Sequence, residues 1–333
     1  MNLILLLPLL LSFFVGLFLI PFWIKKAKEI GLIWEDMNKP EHPKNVAGSG
    51  GIGVFLAFIL GTFMYIAIKT FYFKSTDNII EIFASLSVIL VIAFIGILDD
   101  LLGWRKGGLS IRSRLVLLFF ASIPLIVINA GESTLFGINL GLFYPLVIIP
   151  VGVIGASATF NFLAGYNGLE SSQGIIILTA LSVLTFLTGD KWLSIIGLCM
   201  VASLIPFYLF NKCPAKVFPG NILTYSVGAL IATIAILGNL EKIAVFFFIP
   251  YIMETVLKSR GKLVKHSFAK VNPDGSLEMP YEKIYGVEHL AIYILKKIKP
   301  SKKVYEKDVV LLINSFQILI IIIGILLFGR GLF

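Results

Sequence analysis

The stretch "IIEIFASLSVILVIAFIGILDDLLGW" (residues 79–104) sets the structural class of this protein. Its apolar part, residues 79–98, has about the 20-residue length that an α-helix needs to cross a bilayer. The run ends in two adjacent carboxylates, Asp99 and Asp100, with Trp104 close behind. We therefore predict a membrane-spanning helix that ends in a pair of acids.

The composition of the whole chain agrees with this interpretation. The 333 residues are 58% hydrophobic and only 14% charged, with a mean hydropathy of +0.95. Soluble domains are nearer 45–50% apolar and about 25% charged. We predict an all-α polytopic membrane protein whose residues 1–333 form a single domain. Two cysteines, Cys199 and Cys213, suggest neither a disulfide framework nor a metal cluster.

Ten apolar runs are candidates for spans. The first is interpreted as a retained span rather than a cleaved signal peptide, because no basic residue precedes it and it has no small-residue cleavage site. The predicted spans are residues 3–24, 51–73, 79–98, 112–130, 142–163, 172–188, 192–210, 222–239, 241–258 and 309–329.

Lysine and arginine are distributed unequally between the two predicted faces. The loops after the odd-numbered spans hold 22 of the 28 residues of these two types. The positive-inside rule places those loops in the cytoplasm and both termini on the outer or lumenal face. Two explanations of this cationic face are open: membrane topology alone, or binding of a polyanionic substrate.

Three loop segments have a pattern of their own. Residues 259–308 form a long cytoplasmic loop in which "VNPDGSLEM" (271–279) predicts a small hairpin. Residues 287–298 repeat apolar side chains with helical spacing beside lysines, which predicts an amphipathic helix on the membrane surface. On the other face, "GESTLFGINLG" (131–141) predicts a second hairpin.

The acid pair is the first candidate functional feature. Acids at a helix C-terminus oppose the helix dipole, so two adjacent carboxylates there call for a metal ion or a basic cluster. A solvated helix end is the alternative. The second candidate is "ATFNFLAGYNGLESSQG" (158–174), which places Asn161 and Asn167 six residues apart, with Gly165 and Gly168 nearby. Because six residues do not share a helical face, we predict a broken helix close to a ligand rather than a packing seam.

Three weaker signals lie on the same predicted face. The glycine-rich stretch 38–53 opens a span and could present amide groups to phosphate. The loop 213–228 places Asn221 where a helix N-cap is expected. The segment 258–268 is densely cationic. Carboxylates, amides and basic groups on one face suit a metal-bound pyrophosphate that meets a membrane-embedded partner.

These motifs resemble the polyprenyl-phosphate N-acetylhexosamine-1-phosphate transferase family (glycosyltransferase family 4). The resemblance covers nearly the whole chain and is closest to the dolichyl-phosphate branch. It is carried by "EDMNK" (35–39), "GILDDLLGWR" (96–105), "NFLAGYNGLE" (161–170), "AKVFPGN" (215–221) and "GSLEMPYEKI" (275–284). It implies transfer of a sugar 1-phosphate, most simply GlcNAc-1-phosphate, from a UDP-sugar to a polyprenyl phosphate with release of UMP. This is the first membrane step of lipid-linked oligosaccharide assembly for N-glycosylation.

The resemblance also implies residue roles, a cofactor and partners. The cofactor is Mg²⁺, with Mn²⁺ as a substitute, and the partners are the UDP-sugar, the lipid phosphate and the bilayer, with no nucleic acid; homodimers are common in the family. The active site would face the cytoplasm, at the plasma membrane of a prokaryote or the endoplasmic reticulum of a eukaryote. The implied catalytic residues are Asp99 and Asp100. The implied substrate-binding residues are Glu35, Asp36, Met37, Lys39, Asn167, Arg114, Lys265 and His266. The implied metal ligands are Asn161, Asn221 and Asp100.

The chain departs from the family at Asn221, where an Asp that ligates Mg²⁺ is usual. A neutral amide gives up one negative charge, which should weaken binding of a hard cation. Three interpretations are open: the lineage tolerates Asn, the sequence is an engineered variant, or the protein is a weak or non-catalytic homologue that still binds UDP-sugar or lipid phosphate. We favour the first. A transporter is a further alternative, although its polar residues would lie near the bilayer midplane.

Overall fold

The structure is almost entirely helical. The computed structural model describes residues 2–135 and 137–329. Its helices are α1 (Leu7–Glu29), α2 (Gly51–Ala67), α3 (Ile79–Lys106), α4 (Ile111–Ala121), α5 (Ile123–Val127), α6 (Ile149–Phe160), α7 (Leu169–Thr188), α8 (Lys191–Asn211), α9 (Gly220–Leu237), α10 (Glu241–Phe247), α11 (Ile249–Arg260), α12 (Val287–Ile298) and α13 (Glu306–Phe328).

Short antiparallel hairpins occupy three of the loops. Their strands are β1 (Ile33–Glu35) with β2 (Lys44–Ala47), β3 (Thr134–Leu135) with β4 (Ile138–Asn139), and β5 (Lys270–Val271) with β6 (Leu277–Glu278).

Seven helical segments in the described ranges are long and apolar enough to cross a membrane. They are Leu3–Glu29, Gly51–Tyr72, Ile79–Arg105, Leu169–Thr188, Lys191–Asn211, Gly220–Leu237 and Glu306–Phe328. The prediction of an all-α integral membrane protein is thereby confirmed. Of the other three predicted spans, 112–130 and 241–258 are helical but interrupted, and 142–163 contains a shorter apolar helix, Tyr144–Phe160. The number of ten crossings and the orientation of the termini therefore stay predictions.

Proline explains both of these interruptions. Pro124 lies at the start of α5 and Pro250 at the start of α11, each directly after a break in the helix. Proline has no N–H to donate, and its ring clashes with the preceding turn. It therefore tends to begin a new helix rather than to continue an old one.

The bundle is built around α8 and α9. Their most apolar windows are 72% and 83% buried inside the protein, against 22% for the corresponding window of the peripheral first helix. Helix α8 packs against α7 and α1, while α9 packs against α3 and α6. Gly96 lets α3 and α9 approach closely, because a Cβ there would lie 2.6 Å from the backbone of Ile222. This contact places the acid pair of α3 beside the first turn of α9.

Several local predictions are confirmed. Residues 270–278 form the β5–β6 hairpin, and residues 287–298 form the helix α12. The place of α12 on the membrane surface stays a prediction. The β3–β4 pairing confirms a hairpin within 131–141, of which Phe136 lies outside the described residues. The helix is broken between Phe160 and Leu169, as the two amides and two glycines indicated.

Two local predictions are wrong. Helix α3 continues to Lys106, so Asp99 and Asp100 lie within its last two turns and not at its end. Asn221 does not cap α9, since the helix begins at Gly220 with Pro219 at the N-cap position and no side-chain capping bond. The side chain of Asn221 bonds to α3 instead, because close packing of the two helices offers it a carboxylate.

Candidate active site

A cavity of about 840 Å³ opens where the ends of several helices meet the β1–β2 hairpin and the loop after α11. Eight of the twelve residues predicted for the site line it: Glu35, Asp36, Met37, Asp100, Asn161, Asn167, Asn221 and His266. The structure thus brings together residues that lie up to 231 positions apart in the sequence. The remaining four, Asp99, Arg114, Lys39 and Lys265, lie outside the lining and contact it through other side chains.

Asp99 is enclosed by protein donors. It is 1% exposed, and its Oδ2 lies 2.9 Å from the Arg114 Nε in an ion pair. The same oxygen accepts from the Asn221 side-chain amide at 3.0 Å and from the Tyr225 hydroxyl at 3.0 Å. Its Oδ1 accepts from the backbone N–H of Leu109 at 2.7 Å. Asp99 therefore holds Arg114 and Asn221 in place from behind the cavity wall.

Asp100 lines the cavity and meets the N-terminus of α9. Its Oδ1 accepts from the backbone N–H of Asn221 at 2.6 Å, and its Oδ2 lies 3.5 Å from the backbone nitrogen of Ile222. Unpaired N–H groups and the helix dipole make this terminus favourable for a negative charge. The acid pair is thus stabilised by two different groups, a guanidinium for Asp99 and a helix N-terminus for Asp100.

Gly220 makes the approach of Asp100 possible. Its φ is +71°, and a Cβ at this position would lie 2.2 Å from Oδ2 of Asp100. Only glycine meets both requirements without displacing the carboxylate. The sequence "FPGN" (218–221) therefore encodes the turn that brings α9 onto Asp100.

Two amides complete the polar end of the cavity. Thr224 donates its hydroxyl to Oδ1 of Asn161 at 2.9 Å, which joins α9 to the break after α6. Asn221 uses its nitrogen on Asp99, so its carbonyl oxygen is the atom left for a ligand. Asp100, Asn161 and Asn221 are all oxygen donors, as Mg²⁺ prefers, and one carboxylate with neutral oxygens suits a cation that also takes substrate phosphates. This donor set fits the cation implied by the resemblance, although the described residues include no group of three or more His, Cys, Asp and Glu suited to a metal.

The opposite side of the cavity is formed by the loop after β1. Asn167 donates its side-chain amide to Oδ2 of Asp36 at 2.9 Å. Asn38 donates to the carbonyl of Gly165 at 2.8 Å and accepts from the backbone N–H of Ala269 at 3.1 Å. These bonds tie three distant segments into one wall.

Lys39 lies behind that wall and pairs with Glu306 of α13. Burial acts to lower the pKa of Lys39, but the charge and hydrogen bond of Glu306 outweigh it and raise this pKa above its ordinary value. Lys39 is therefore a fixed cation at neutral pH.

The basic segment after α11 contributes one lining residue. His266 lines the cavity, its ring stacks on Phe268 with 6.5 Å between centroids, and its backbone N–H donates to the Tyr281 hydroxyl at 3.2 Å. Lys265 lies with its Nζ 4.7 Å from the centroid of the Tyr281 ring. Tyr281 belongs to the sequence motif 275–284 and also lines the cavity.

Sequence reasoning missed several residues of the site. Trp34, Trp104 and Tyr281 line the cavity next to predicted residues, and their place inside or beside quoted motifs was the available signal. Glu306 gave only a weak signal, an acid that opens the last apolar run, because its partners lie 139 and 267 positions away.

Fold and cavity together define a polytopic membrane protein with a cavity lined by carboxylates, amides and a histidine. A family model for glycosyl transferase family 4 matches residues 82–239. The chain belongs to this glycosyl transferase family, since relatives at least 30% identical also match it over nearly its full length.

Related proteins match over nearly the full length. The chain is 36% identical to a protein of Saccharolobus solfataricus over 97% of its own length and 96% of the relative's. A Sulfolobus acidocaldarius protein is 30% identical over 96% of the chain and 95% of the relative. Both are provisionally named UDP-N-acetylglucosamine–dolichyl-phosphate N-acetylglucosaminephosphotransferase. A phospho-N-acetylmuramoyl-pentapeptide-transferase of Streptococcus pyogenes is 29% identical over 74% of the chain and 76% of the relative.

Proposed function

We propose that this protein transfers GlcNAc-1-phosphate from UDP-GlcNAc to a polyprenyl phosphate of the dolichyl type and releases UMP. The full-length similarity to relatives named for this reaction supports the proposal. The observation that carries it is the cavity itself, which combines Asp100, Asn161 and Asn221 at the edge of a membrane helix bundle. These groups suit a metal-bound pyrophosphate beside a lipid phosphate.

Asp100, Asn161 and Asn221 would hold Mg²⁺, or Mn²⁺ in its place. When bound, the ion neutralises the pyrophosphate charge and the charge that develops on the leaving phosphate. Asp99 fixes the amide of Asn221 so that the carbonyl oxygen of this residue is left for the ion. His266 would contact the sugar side of the donor, and Lys265 adds to the positive potential beside Tyr281.

The acceptor phosphate is assigned to Arg114. The ion pair with Asp99 is made at the Nε of Arg114, which leaves the terminal guanidinium nitrogens for the phosphate. An oxygen of the acceptor phosphate attacks the β-phosphorus of UDP-GlcNAc, and the bond from that phosphorus to the α-phosphate oxygen breaks. UMP leaves with the bonding electrons, and GlcNAc remains on a polyprenyl diphosphate. Asp36 and Asn167 hold the uridine end, with Glu35 and Met37 beside them.

This reaction would open lipid-linked oligosaccharide assembly for N-glycosylation. The positive-inside pattern supports an active site on the cytoplasmic face of the membrane. Dimer formation stays a prediction of the resemblance.

The test is UMP release by the purified protein, measured across a panel of UDP-sugars with polyprenyl phosphate and Mg²⁺. We expect release with UDP-GlcNAc, abolished by chelation and reduced at least about a hundredfold in Asp100→Asn, a size typical for loss of a group that neutralises transition-state charge. Asp99→Asn should lose activity together with thermal stability, since Arg114 and Asn221 lose their shared partner. Wild-type rates in both variants would contradict the assignment, and UDP-sugar binding without UMP release would favour the non-catalytic alternative.

A further inference from the structure

Glu306 is a buried carboxylate that the reaction above does not use. It is the first residue of α13 and is 4% exposed. An acid in the first turn of a helix is ordinarily explained by the helix dipole. Its side chain, however, is directed at two other segments of the chain. The backbone N–H of Asn167 donates to its Oε1 at 2.8 Å, and the Lys39 ammonium group binds its Oε2.

These contacts close a ring with the residues that line the cavity. The side-chain amide of Asn167 donates to Oδ2 of Asp36 at 2.9 Å. The Nζ of Lys39 lies 3.8 Å from the same Asp36 oxygen. Glu306 thus fixes the backbone of Asn167 with one oxygen and Lys39 with the other. Asp36 is held between them.

Removing one side chain of this ring should disturb the positions of the other three. Its hydrogen bonds are charge-assisted, and removal of one partner leaves a poorly solvated charge behind. Asp36 and Asn167 face the cavity, whereas Glu306 and Lys39 are not part of its lining. Among the hydrogen bonds and ion pairs of Glu306, those that lead to the cavity lining run through Asn167 and, by way of Lys39, through Asp36.

We propose that Glu306 is a positioning residue for the nucleotide end of the donor substrate. Through Asn167 and Lys39 it sets the orientation of the two polar side chains that meet the uridine nucleotide. This inference rests on the proposed function. Because these groups bind a part of the donor that does not react, losing Glu306 weakens donor binding more than it slows the chemical step.

The kinetic test uses Glu306→Ala and Glu306→Gln with Asp308→Asn as the matched control. Asp308 is the next acid of the same helical turn, but it pairs with Lys299 at 2.7 Å. We expect Glu306→Ala to raise the KM for UDP-GlcNAc by about tenfold or more, the size of a lost charge-assisted hydrogen bond, with kcat within about threefold of wild type. Glu306→Gln keeps an acceptor for the backbone N–H of Asn167, so its KM should lie between those of wild type and Glu306→Ala. Asp308→Asn should lower Tm without changing KM.

A double variant tests whether Glu306 affects the KM through its contact with Lys39. If Glu306 acts with Lys39, Lys39→Met combined with Glu306→Gln should raise KM no more than the worse single variant does. Additive effects, or a KM for Glu306→Ala within twofold of wild type, would overturn the proposal.

Cys213 supplies a readout that needs no enzymatic activity. Burial raises the pKa of this thiol, the charge of Glu306 raises it further, and Lys39 opposes the shift. Cys213 is exposed and the other cysteine, Cys199, is buried, so alkylation reports on Cys213. In Glu306→Ala, alkylation by iodoacetamide at pH 8 should be faster than in wild type. An unchanged alkylation rate would contradict the placement of Glu306 beside Lys39 and Cys213, and would overturn the proposal. If the rate rises but the wild-type protein releases no UMP, only the proposed function is contradicted.

Discussion

The side-chain amide of Asn221 donates a hydrogen bond to Asp99 across the contact of α9 with α3, at 3.0 Å. An aspartate at position 221 would face another carboxylate at that distance. The neutral residue therefore removes a like-charge repulsion within the protein while it keeps an oxygen for a metal ion. This geometry supports the interpretation that the lineage tolerates Asn at position 221.

Asn221→Asp should make stability depend on divalent cations. Two carboxylates about 3 Å apart cannot both ionise easily without a cation between them. We expect the Tm in EDTA to fall by several degrees, the shift that about 1–2 kcal/mol produces, and saturating Mg²⁺ to restore it. Thermal unfolding in detergent with and without Mg²⁺ measures this. Asn221→Ala is the control, whose smaller loss should not respond to Mg²⁺; equal Tm values for wild type and Asn221→Asp in EDTA would contradict the geometry.

Gly220→Ala should damage the site beyond the cost of backbone strain. Both Gly220 and Gly189 have positive φ, +71° and +104°. A Cβ at Gly220 would lie 2.2 Å from the Asp100 carboxylate, whereas one at Gly189 would have no atom within 4 Å. Both alanine variants should therefore lose about 1 kcal/mol of stability from backbone strain, but only Gly220→Ala should also lose UMP release, because Asp100 must move. Equal activities for the two variants would show that Asp100 is not held in place by this turn.

Glu288→Gln should stabilise the protein at alkaline pH. Glu288 is fully buried at the start of α12, and burial together with the nearby Glu254 carboxylate raises its pKa well above the ordinary value, while Lys258 opposes the shift. The folded state thus binds this proton more tightly than the unfolded chain does. Stability is complete below the unfolded pKa of about 4.3 and is lost as pH rises toward the folded pKa.

The neutral glutamine removes that dependence. We expect the Tm of Glu288→Gln to exceed that of wild type by a few degrees at pH 8, and the difference to shrink near pH 5. Unfolding scans between pH 5 and pH 8 measure it. A variant that is less stable than wild type at every pH would mean that an ionised Glu288 is stabilised by Lys258.

The pair Asp99 and Asp100 shows which properties of the site can be predicted from the sequence and which cannot. The apolar run before Asp99 and Asp100 predicted a spanning helix correctly, and the neighbouring charges predicted that the pair needs stabilisation. The sequence did not distinguish the two acids. In the structure Asp99 forms an ion pair with Arg114 and accepts hydrogen bonds from Asn221 and Tyr225. Asp100 lines the cavity and accepts a hydrogen bond from the N-terminus of α9.

The sequence by itself determined the membrane class, the helical segments and the motifs of the site, because these depend on hydrophobic length, on glycine and proline, and on residues close together in the chain. The tertiary structure decided which groups share one wall of the cavity. The ring of Asp36, Asn167, Lys39 and Glu306 joins residues up to 267 positions apart. No local pattern encodes such a contact, since it exists only after packing has brought β1, the break after α6 and the start of α13 together.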